Sequence, residues 1–563
     1  MRRINPLLLA DFYKTGHIYQ YPEGTEMVYS NWTPRGSRIE GINEVVVFGL
    51  QYFIKEYLIN QFNEGFFDLP KEQVVGEYKR ILDNSLGPDV VKMDHIEALH
   101  DLGYLPLEIK AMEEGTKCPM RIPCITIKNT LPEFFWVTNY IESIMSCIIW
   151  SPMTTATIAA KYREILDGYA EKTSDIPEFV DWQGHDFSFR GMGGLELASM
   201  SGHLTSFTGT DTIPAIPFME EYYGANCDKE LVGGSVGATE HSVVSLNGDN
   251  DEFGLFKRLI TKVYPSGIIS LVSDTWDLWK VLTDYLPKLK NEVMARDGKV
   301  VIRPDSGDPV DIICGKVFTQ CDKYLTSTND IKSYYTDVAW DFFVENCDDD
   351  SYCDEYNDTC KIGSEIYRVV VIAEIGKMHD MNDNDHYVVD GIKSVSYERL
   401  EVRPEDLGVI ELLWNTFGGE VNSKGFKQLD THIGAIYGDA ITMKRCEEIC
   451  KRLESKGFTS TNVVLGIGSF SYNFLTRDSL GFAMKATYGV VNGEARNIFK
   501  DPVTDDGLKK SAKGLLMVDE NFKLHEEVTP EVEKTGILKT VFKDGKLLKD
   551  FTLQEIRDNV RRL

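Results

Sequence analysis

Short apolar runs that stop at Gly, Asp, Ser or Pro, spaced by stretches of helical periodicity, dominate the chain from residue 150 onward. The sharpest is Lys299-Val300-Val301-Ile302-Arg303-Pro304-Asp305-Ser306-Gly307-Asp308-Pro309. Three β-branched residues in a row predict a buried strand, and Pro304 and Gly307 end it at once. The same reading picks out strand ends near Trp182–Gly191, Ser206–Thr212, Thr239–Ser242, Ile268–Asp274, Ala435–Asp439 and Val463–Ser469, with helices over Thr154–Lys172 and Leu195–Leu204. Such alternation predicts an irregular (β/α) barrel whose strand ends each offer one polar group to a common mouth.

Residues 1–150 read instead as a small α+β domain. Leu7 to Lys14 predicts a short helix or turn, Met27–Trp32 a strand, and Glu44 to Asn60 a helix. Leu107–Ala111 and Cys124–Ile127 alternate as strands, and Glu133 to Trp150 reads as a long apolar helix that leaves the domain. Past residue 485 strands resume at Tyr488–Val491 and Gly514–Val518, and a β/α segment closes the chain from Leu538 to Lys546. Residues of about 315–404 break the rhythm with Cys347-Asp348-Asp349-Asp350, Met381-Asn382-Asp383-Asn384-Asp385 and a strand-like Val369–Ile372. They read as an acidic, partly ordered insertion on a barrel loop, its Asp runs a solvated face rather than calcium loops.

Charge narrows the range of partners. Asp and Glu number 88 against 60 Lys and Arg, a net charge of −28. That balance opposes non-specific binding to nucleic acid and to anionic membranes, while leaving room for an anionic small substrate held by a few gathered cations. Eleven cysteines are few and irregularly spaced, with no CxxC pair beside Cys347, Cys353 and Cys360. No disulfide framework or metal site is read from them, and a reducing, cytoplasmic setting is expected. The apolar run of MRRINPLLLADFYK ends at Asp11, short of a signal-peptide core, and no stretch is read as approaching the length of a membrane span.

The strand ends present Arg190, Asp211, His241, Asp274, Arg303, Asp305 and Asp439, and the turn Gly466-Ile467-Gly468-Ser469. A guanidinium fork suits a pyrophosphate, carboxylates suit sugar hydroxyls or a metal ion, and a Gly-x-Gly-Ser turn can aim backbone N–H groups at a monophosphate. Arg35, Lys500, Lys509, Lys510 and Lys513 add positive charge, and Tyr13, Phe187 and Phe189 could stack a flat ring. Each feature also has a plain reading: a structural Arg–Asp pair, a solvated lysine face, core aromatics. Together they describe an enzyme that joins a base to phosphoribosyl pyrophosphate.

HDFSFRG, TGTDT, EHS, VSDTWD, IRPDSGDP, YGDAIT, LTRD and FKDPVTD occur in that order, between LLADFYK near the start and TVFKDGK near the end. In this series the chain resembles the type II phosphoribosyltransferases of the nicotinate/nicotinamide family, on their nicotinamide side. The resemblance implies an α/β fold: a β/α-barrel catalytic domain over 150–484, plus an α+β domain formed by the N- and C-terminal segments, 1–149 with 485–563. It implies transfer of phosphoribosyl to nicotinamide, Mg²⁺ brought in on pyrophosphate, ATP as a facultative co-substrate, and a homodimer with shared active sites. Phe187 and Tyr13, the latter from the partner subunit, would sandwich the nicotinamide ring, with Arg190 along it and Asp211 accepting from the carboxamide. Asp305 would hold the ribose, and Arg303, Arg35, Lys500 and Lys509 the pyrophosphate. Gly438, Asp439, Gly468 and Ser469 would cradle the 5-phosphate, with Arg477 and Lys485 across the interface. His241 would be phosphorylated from ATP, oriented by Glu240 and Asp274. The chain departs from the family at Ser469, where the family has glycine, and at Ala483, where it has serine. The alternatives are a nicotinate phosphoribosyltransferase, and a non-catalytic relative using the insertion as an interaction surface. Intact Arg303, Asp305, His241 and Asp211 speak against the second.

Overall fold

A computed structural model describes residues 4–320, 327–347, 352–362, 365–379, 385–438, 440–500 and 511–562. The chain divides into two compact units: Met1–Gly237 with Ile436–Glu447 and Val463–Leu563, and Ala238–Ala435 with Glu448–Asn462.

In the first unit the strands of both chain ends form one seven-stranded sheet. Its order is Glu494–Asn497, Phe482–Val491, Thr25–Pro34, Ile125–Asn129, Leu107–Ala111, Lys539–Lys543, Lys546–Leu547. Thr25–Pro34 lies inside it, with Trp32 opposite Met484 on one side and Ile125 on the other. Both faces are covered, so Tyr29, Ser30 and Trp32 are all buried and no in–out alternation marks this strand in the sequence. The last helix, Leu553–Arg561, starts in a Thr552/Glu555 capping box. Its Arg557 donates to the carbonyls of Leu204 and Val232, each at 2.8 Å.

The two helices expected over 133–150 and 154–172 are one, Glu142–Thr173, entered through the short turns Pro132–Phe134 and Val137–Tyr140. Pro152 does not break it. Its ring fills the space beside Gly49, where a Cβ would meet Pro152 Cγ at 2.4 Å. The hydroxyls of Thr154 and Thr155 donate to the carbonyls of Trp150 and Ser151, giving the disturbed turn extra partners. This helix also corrects the reading of the membrane signal. It contains an 18-residue window of mean hydropathy 1.3, long and apolar enough to cross a bilayer by those measures alone, yet 72% of that window is buried inside the protein. The helix expected over Glu44–Asn60 is a strand, Glu44–Val46, followed by helical turns from Leu50 to Gln61.

Parallel strands occur in both units. In the first, Val463–Ile467 runs beside Gly184–Asp186, which bridges onward from Asp186 to Thr210, and Gly209 bridges to Gly234. In the second, Ser266–Val272 pairs with Asp297–Arg303 over its whole length, and the latter pairs through Val300, Val301 and Ile302 with Ile433, Gly434 and Ala435. The predicted central strand is therefore present, and its exit follows the sequence. Gly307 takes φ +93°, Asp308 accepts from the N–H groups of Val310 and Asp311, and Pro309 opens the helix Pro309–Cys314. This is a mixed α/β fold with parallel strands followed by helices and separate antiparallel sheets.

Much of the stretch 315–404 has a core of its own. Strands Thr319–Gln320, Glu355–Ile362, Glu365–His379 and Asp385–Leu400 form a four-stranded sheet in that order. Helix Ile331–Glu345 packs on it through Ile331, Tyr335, Ala339 and Phe343, all fully buried against Cys360, Val369 and Val371. Asp348–Asp350 and 381–384 lie outside the described residues.

Candidate active site

Four groups of sequence-predicted residues come together, three in the first unit and one in the second.

The first group stands at the ends of the parallel strands Gly184–Asp186 and Val463–Ile467. Gly466 lies opposite His185, and the Phe187 N–H donates to the Ile467 carbonyl at 3.0 Å. A Cβ on Gly466 would lie 2.7 Å from the Phe187 ring and from the carbonyls of Tyr437 and Gly438, so only glycine lets these three meet. Gly191 likewise packs on Ser469, where a Cβ would fall 2.6 Å from the serine Cβ. Arg190 is exposed on the short turn Phe189–Gly191. The Asp211 N–H donates to the Asp186 carbonyl, and the Asp211 carboxylate accepts from His185 Nε2 at 3.0 Å and from the Ser235 hydroxyl.

Beneath this group lie residues whose roles the sequence did not suggest. The Tyr162 hydroxyl donates to the Ile441 carbonyl at 2.7 Å and meets Ser471 Oγ at 2.8 Å, so the long helix pins both the loop after Gly438 and the turn after Gly468. Buried His203 bridges the Tyr472 hydroxyl at 2.7 Å and the Gly209 carbonyl at 2.9 Å. Burial pushes its imidazole down to about 4, so it serves as a neutral strut. Asp439 lies outside the described residues.

The second group is cationic. Arg35, Arg121 and Lys485 line one cleft of about 240 Å³ with Asn31, Ala483 and Ser511. The Arg35 Nε donates to the Gly481 carbonyl, which fixes its stem. Burial, together with Arg35, Lys500 and Lys14, lowers the Lys485 pKa, with Glu142 opposing. A chain of net charge −28 thus concentrates positive charge at one concave place. Arg121 was not foreseen; an exposed arginine in a turn carries no signal of its own. Lys500 bonds through its backbone to Ser511, and Lys509 lies outside the described residues.

The third group pairs Tyr13 with Arg477 along a cleft of about 250 Å³ that also holds Asp11, Glu142 and Trp150. Tyr13 is 60% exposed, and among the described residues no ring contact joins it to Phe187.

The fourth group belongs to the second unit. His241 opens the helix His241–Leu246; its Nδ1 meets the Thr275 hydroxyl at 3.0 Å, and its Nε2 faces Asp274 at 3.9 Å and Asp305 at 3.8 Å. One oxygen of Asp274 accepts from the N–H groups of Asp305 and Ser306 and from the Ser306 hydroxyl, at 2.7–2.8 Å. Its other oxygen is buried and has no hydrogen-bond partner among the described residues, as is true of Arg303 Nε. Arg303 donates through Nη2 to the Thr239 carbonyl at 2.9 Å. Glu240 is exposed and accepts from the Ser242 hydroxyl. Glu252, buried nearby, is pushed up to about 7 by burial, with Asp277 and Asp274 adding to the shift and Lys280 opposing it. Buried, half-satisfied ionic groups are costly unless a charged ligand completes them.

Comparison with known proteins matches residues 182–352 and 388–546 to the nicotinate phosphoribosyltransferase (NAPRTase) family, and residues 5–109 to the nicotinamide phosphoribosyltransferase N-terminal domain. The chain belongs to the nicotinate phosphoribosyltransferase family. Curated relatives include the nicotinamide phosphoribosyltransferase of Acinetobacter baylyi, 45% identical over 99% of this chain and 97% of the relative. That of Mycoplasma pneumoniae is 30% identical over 89% and 92%. Among solved structures, human nicotinic acid phosphoribosyltransferase shares the fold at a TM-score of 0.50 and 13% identity, covering 98% of this chain and 92% of that one. The family match omits residues 353–387, the middle of the inserted sheet. In this family member the strand ends carry cations and carboxylates, and His185 links the Asp211 carboxylate to the Phe187 ring.

Proposed function

We propose that this phosphoribosyltransferase joins nicotinamide to 5-phosphoribosyl 1-pyrophosphate, giving nicotinamide mononucleotide and pyrophosphate, a step of NAD salvage. The observation that carries the choice of base is the Asp211 carboxylate. It stands at a strand end, fixed by two donors, near the Phe187 ring by way of His185. A carboxylate accepts from an amide N–H and repels a second carboxylate, so it favours nicotinamide over nicotinate.

In the reaction the bond from C1 to the pyrophosphate oxygen breaks with its electron pair leaving on pyrophosphate. The ring nitrogen's lone pair forms the new C1–N bond, so no general base is required. Arg303 stabilises the leaving charge, and Asp305 holds the ribose hydroxyls. Among the described residues no group of three His, Cys, Asp or Glu side chains could hold a metal ion. Mg²⁺ is assigned as carried in on the substrate's pyrophosphate, where the buried, unpartnered oxygen of Asp274 would help to hold it. When bound, Mg²⁺ would supply charge neutralisation at the pyrophosphate. His241, held at Nδ1 by Thr275 and facing Asp274 and Asp305 with Nε2, is the residue we assign to phosphorylation by ATP. Exposed Tyr13, with Arg477 in its cleft, is assigned to the active site of a second subunit in a homodimer.

The test is mononucleotide formation from phosphoribosyl pyrophosphate and Mg²⁺, with nicotinamide and nicotinate in parallel, each with and without ATP. Product from nicotinamide is expected, and ATP stimulation that His241→Ala removes while basal transfer persists. Product from nicotinate alone would reassign the base; stimulation surviving in His241→Ala would overturn the phosphohistidine assignment.

A further inference from the structure

His185 touches both features by which a pyridine carboxamide would be recognised. Its Nε2 lies 3.0 Å from Asp211 Oδ1, and its ring centroid lies 4.7 Å from that of Phe187, tilted by 45°. The Ser235 hydroxyl donates to the same Oδ1. Two donors on one oxygen fix the direction of a carboxylate, and bonds to an ionised acceptor are the stronger kind.

The surroundings keep this arrangement in place. His185 is only 8% exposed, and Gly209 makes room for it, since a Cβ there would fall 2.8 Å from His185 Nδ1. The strands that carry His185 and Asp211 are tied by the Asp186–Thr210 bridge and by the Asp211 N–H to Asp186 carbonyl bond. Buried Asp186 accepts from the Ser188 N–H at 2.9 Å and the Thr210 hydroxyl at 3.1 Å, which secures the turn into Phe187. The backbone bridge is that of a strand pair, and the side-chain bonds of His185, Ser235 and Asp186 are additions to it.

We infer that His185, assisted by Ser235, is the positioning residue that sets amide-over-acid preference, by holding the Asp211 carboxylate aimed and by backing Phe187. This rests on the proposed nicotinamide activity. His185 has no contact with the reacting atoms in this reading; it acts through Asp211 and Phe187.

The experiment is steady-state kinetics of the full chain with nicotinamide and nicotinate, for wild type, His185→Leu, His185→Gln and Ser235→Ala, each checked for a native thermal melt. His185→Leu should raise KM for nicotinamide by about tenfold and lower the nicotinamide-to-nicotinate ratio of kcat/KM by a similar factor. Its kcat should stay within about threefold of wild type. Glutamine offers an N–H near the lost Nε2 and should restore most of the preference. Ser235, exposed and outside the core, should lose part of it as alanine, and carries the test should His185→Leu fail to fold. An unchanged ratio in His185→Leu or Ser235→Ala, or equal losses on both bases without rescue by glutamine, would overturn the inference alone. A wild type that turns over nicotinate only would overturn the nicotinamide reading and this inference with it.

Discussion

Gly466 decides more about the candidate site than any charged residue near it. The carbonyls of Tyr437 and Gly438 and the Phe187 ring all lie where its side chain would begin, and two of those three are backbone. Gly466→Ala should therefore destabilise the protein by about 1–3 kcal/mol, since backbone oxygens cannot swing aside. It should also raise KM for both substrates by displacing Phe187 and the Gly438 loop. Urea unfolding beside kinetics would check this, and a variant with wild-type stability would show that the strand end yields more easily than its contacts imply. The charged residues at this scale were legible in the motifs. Their supports, such as His185, Ser235 and Tyr162, were not, because a residue that orients another has no composition signal of its own.

At the scale of elements, Glu114 shows how one buried carboxylate joins distant segments. It accepts from Gln51 N–H at 2.6 Å and from Gly49 N–H at 3.3 Å, in the turn where Gly49 takes φ +93°. The Gln51 amide nitrogen donates to the Tyr222 and Phe551 carbonyls, and its oxygen accepts from the Phe551 N–H. Burial pushes the Glu114 carboxyl from 4.5 up to about 7, against the backbone N–H bonds that favour the anion. A folded-state pKa above the unfolded one means that the native state binds the proton more tightly. The stability from this group is fully present below pH 4.5 and is lost as pH rises through 7. The loss for a shift of this size is about 3 kcal/mol. Glu114→Gln should flatten that part of the stability-versus-pH curve, measured by chemical denaturation from pH 4 to 8; an unaltered slope would place the titrating group elsewhere. The long helix teaches the same lesson. Two helices, over 133–150 and 154–172, were the natural reading of the sequence; in the one long helix Pro152 packs on Gly49, and the hydroxyls of Thr154 and Thr155 bond the carbonyls of Trp150 and Ser151.

At the scale of the whole molecule, two predictions concern what is added and what is shared. The inserted lobe buries its own helix against its own sheet. Excising 317–402 and joining the ends with a short Gly-Ser linker should leave a folded protein with transfer within about tenfold of the full chain. Complete loss of transfer in a folded, dimeric deletion protein would make the lobe part of the catalytic machinery. The second concerns Tyr13, which lines the Arg477 cleft and makes no ring contact with Phe187 among the described residues. Mixing Tyr13→Ala and Phe187→Ala protomers, each lacking one of the two stacking rings, after reversible dissociation should recover about a quarter of wild-type activity, because each mixed dimer rebuilds one intact site. No recovery in dimers proved to be mixed would place Tyr13 in the site of its own subunit.

Runs of β-branched residues ended by Pro, Gly and Asp were enough, in the sequence alone, to mark the strand Asp297–Arg303, its stop at Pro304 and Gly307 and the α/β class. Ordered motifs from LLADFYK to TVFKDGK were enough for the family, because their residues carry chemistry that no other choice of side chain supplies. Tertiary structure decided the rest. It merged the helices on either side of Pro152, gave the acidic insertion a core, gathered Arg121 with Arg35 and Lys485, and set His185 and Ser235 on one oxygen of Asp211. Each of these depends on residues 20 to 450 positions apart meeting in space. Local periodicity and turn chemistry act over a few residues, and only the packed chain brings such distant groups within hydrogen-bond reach.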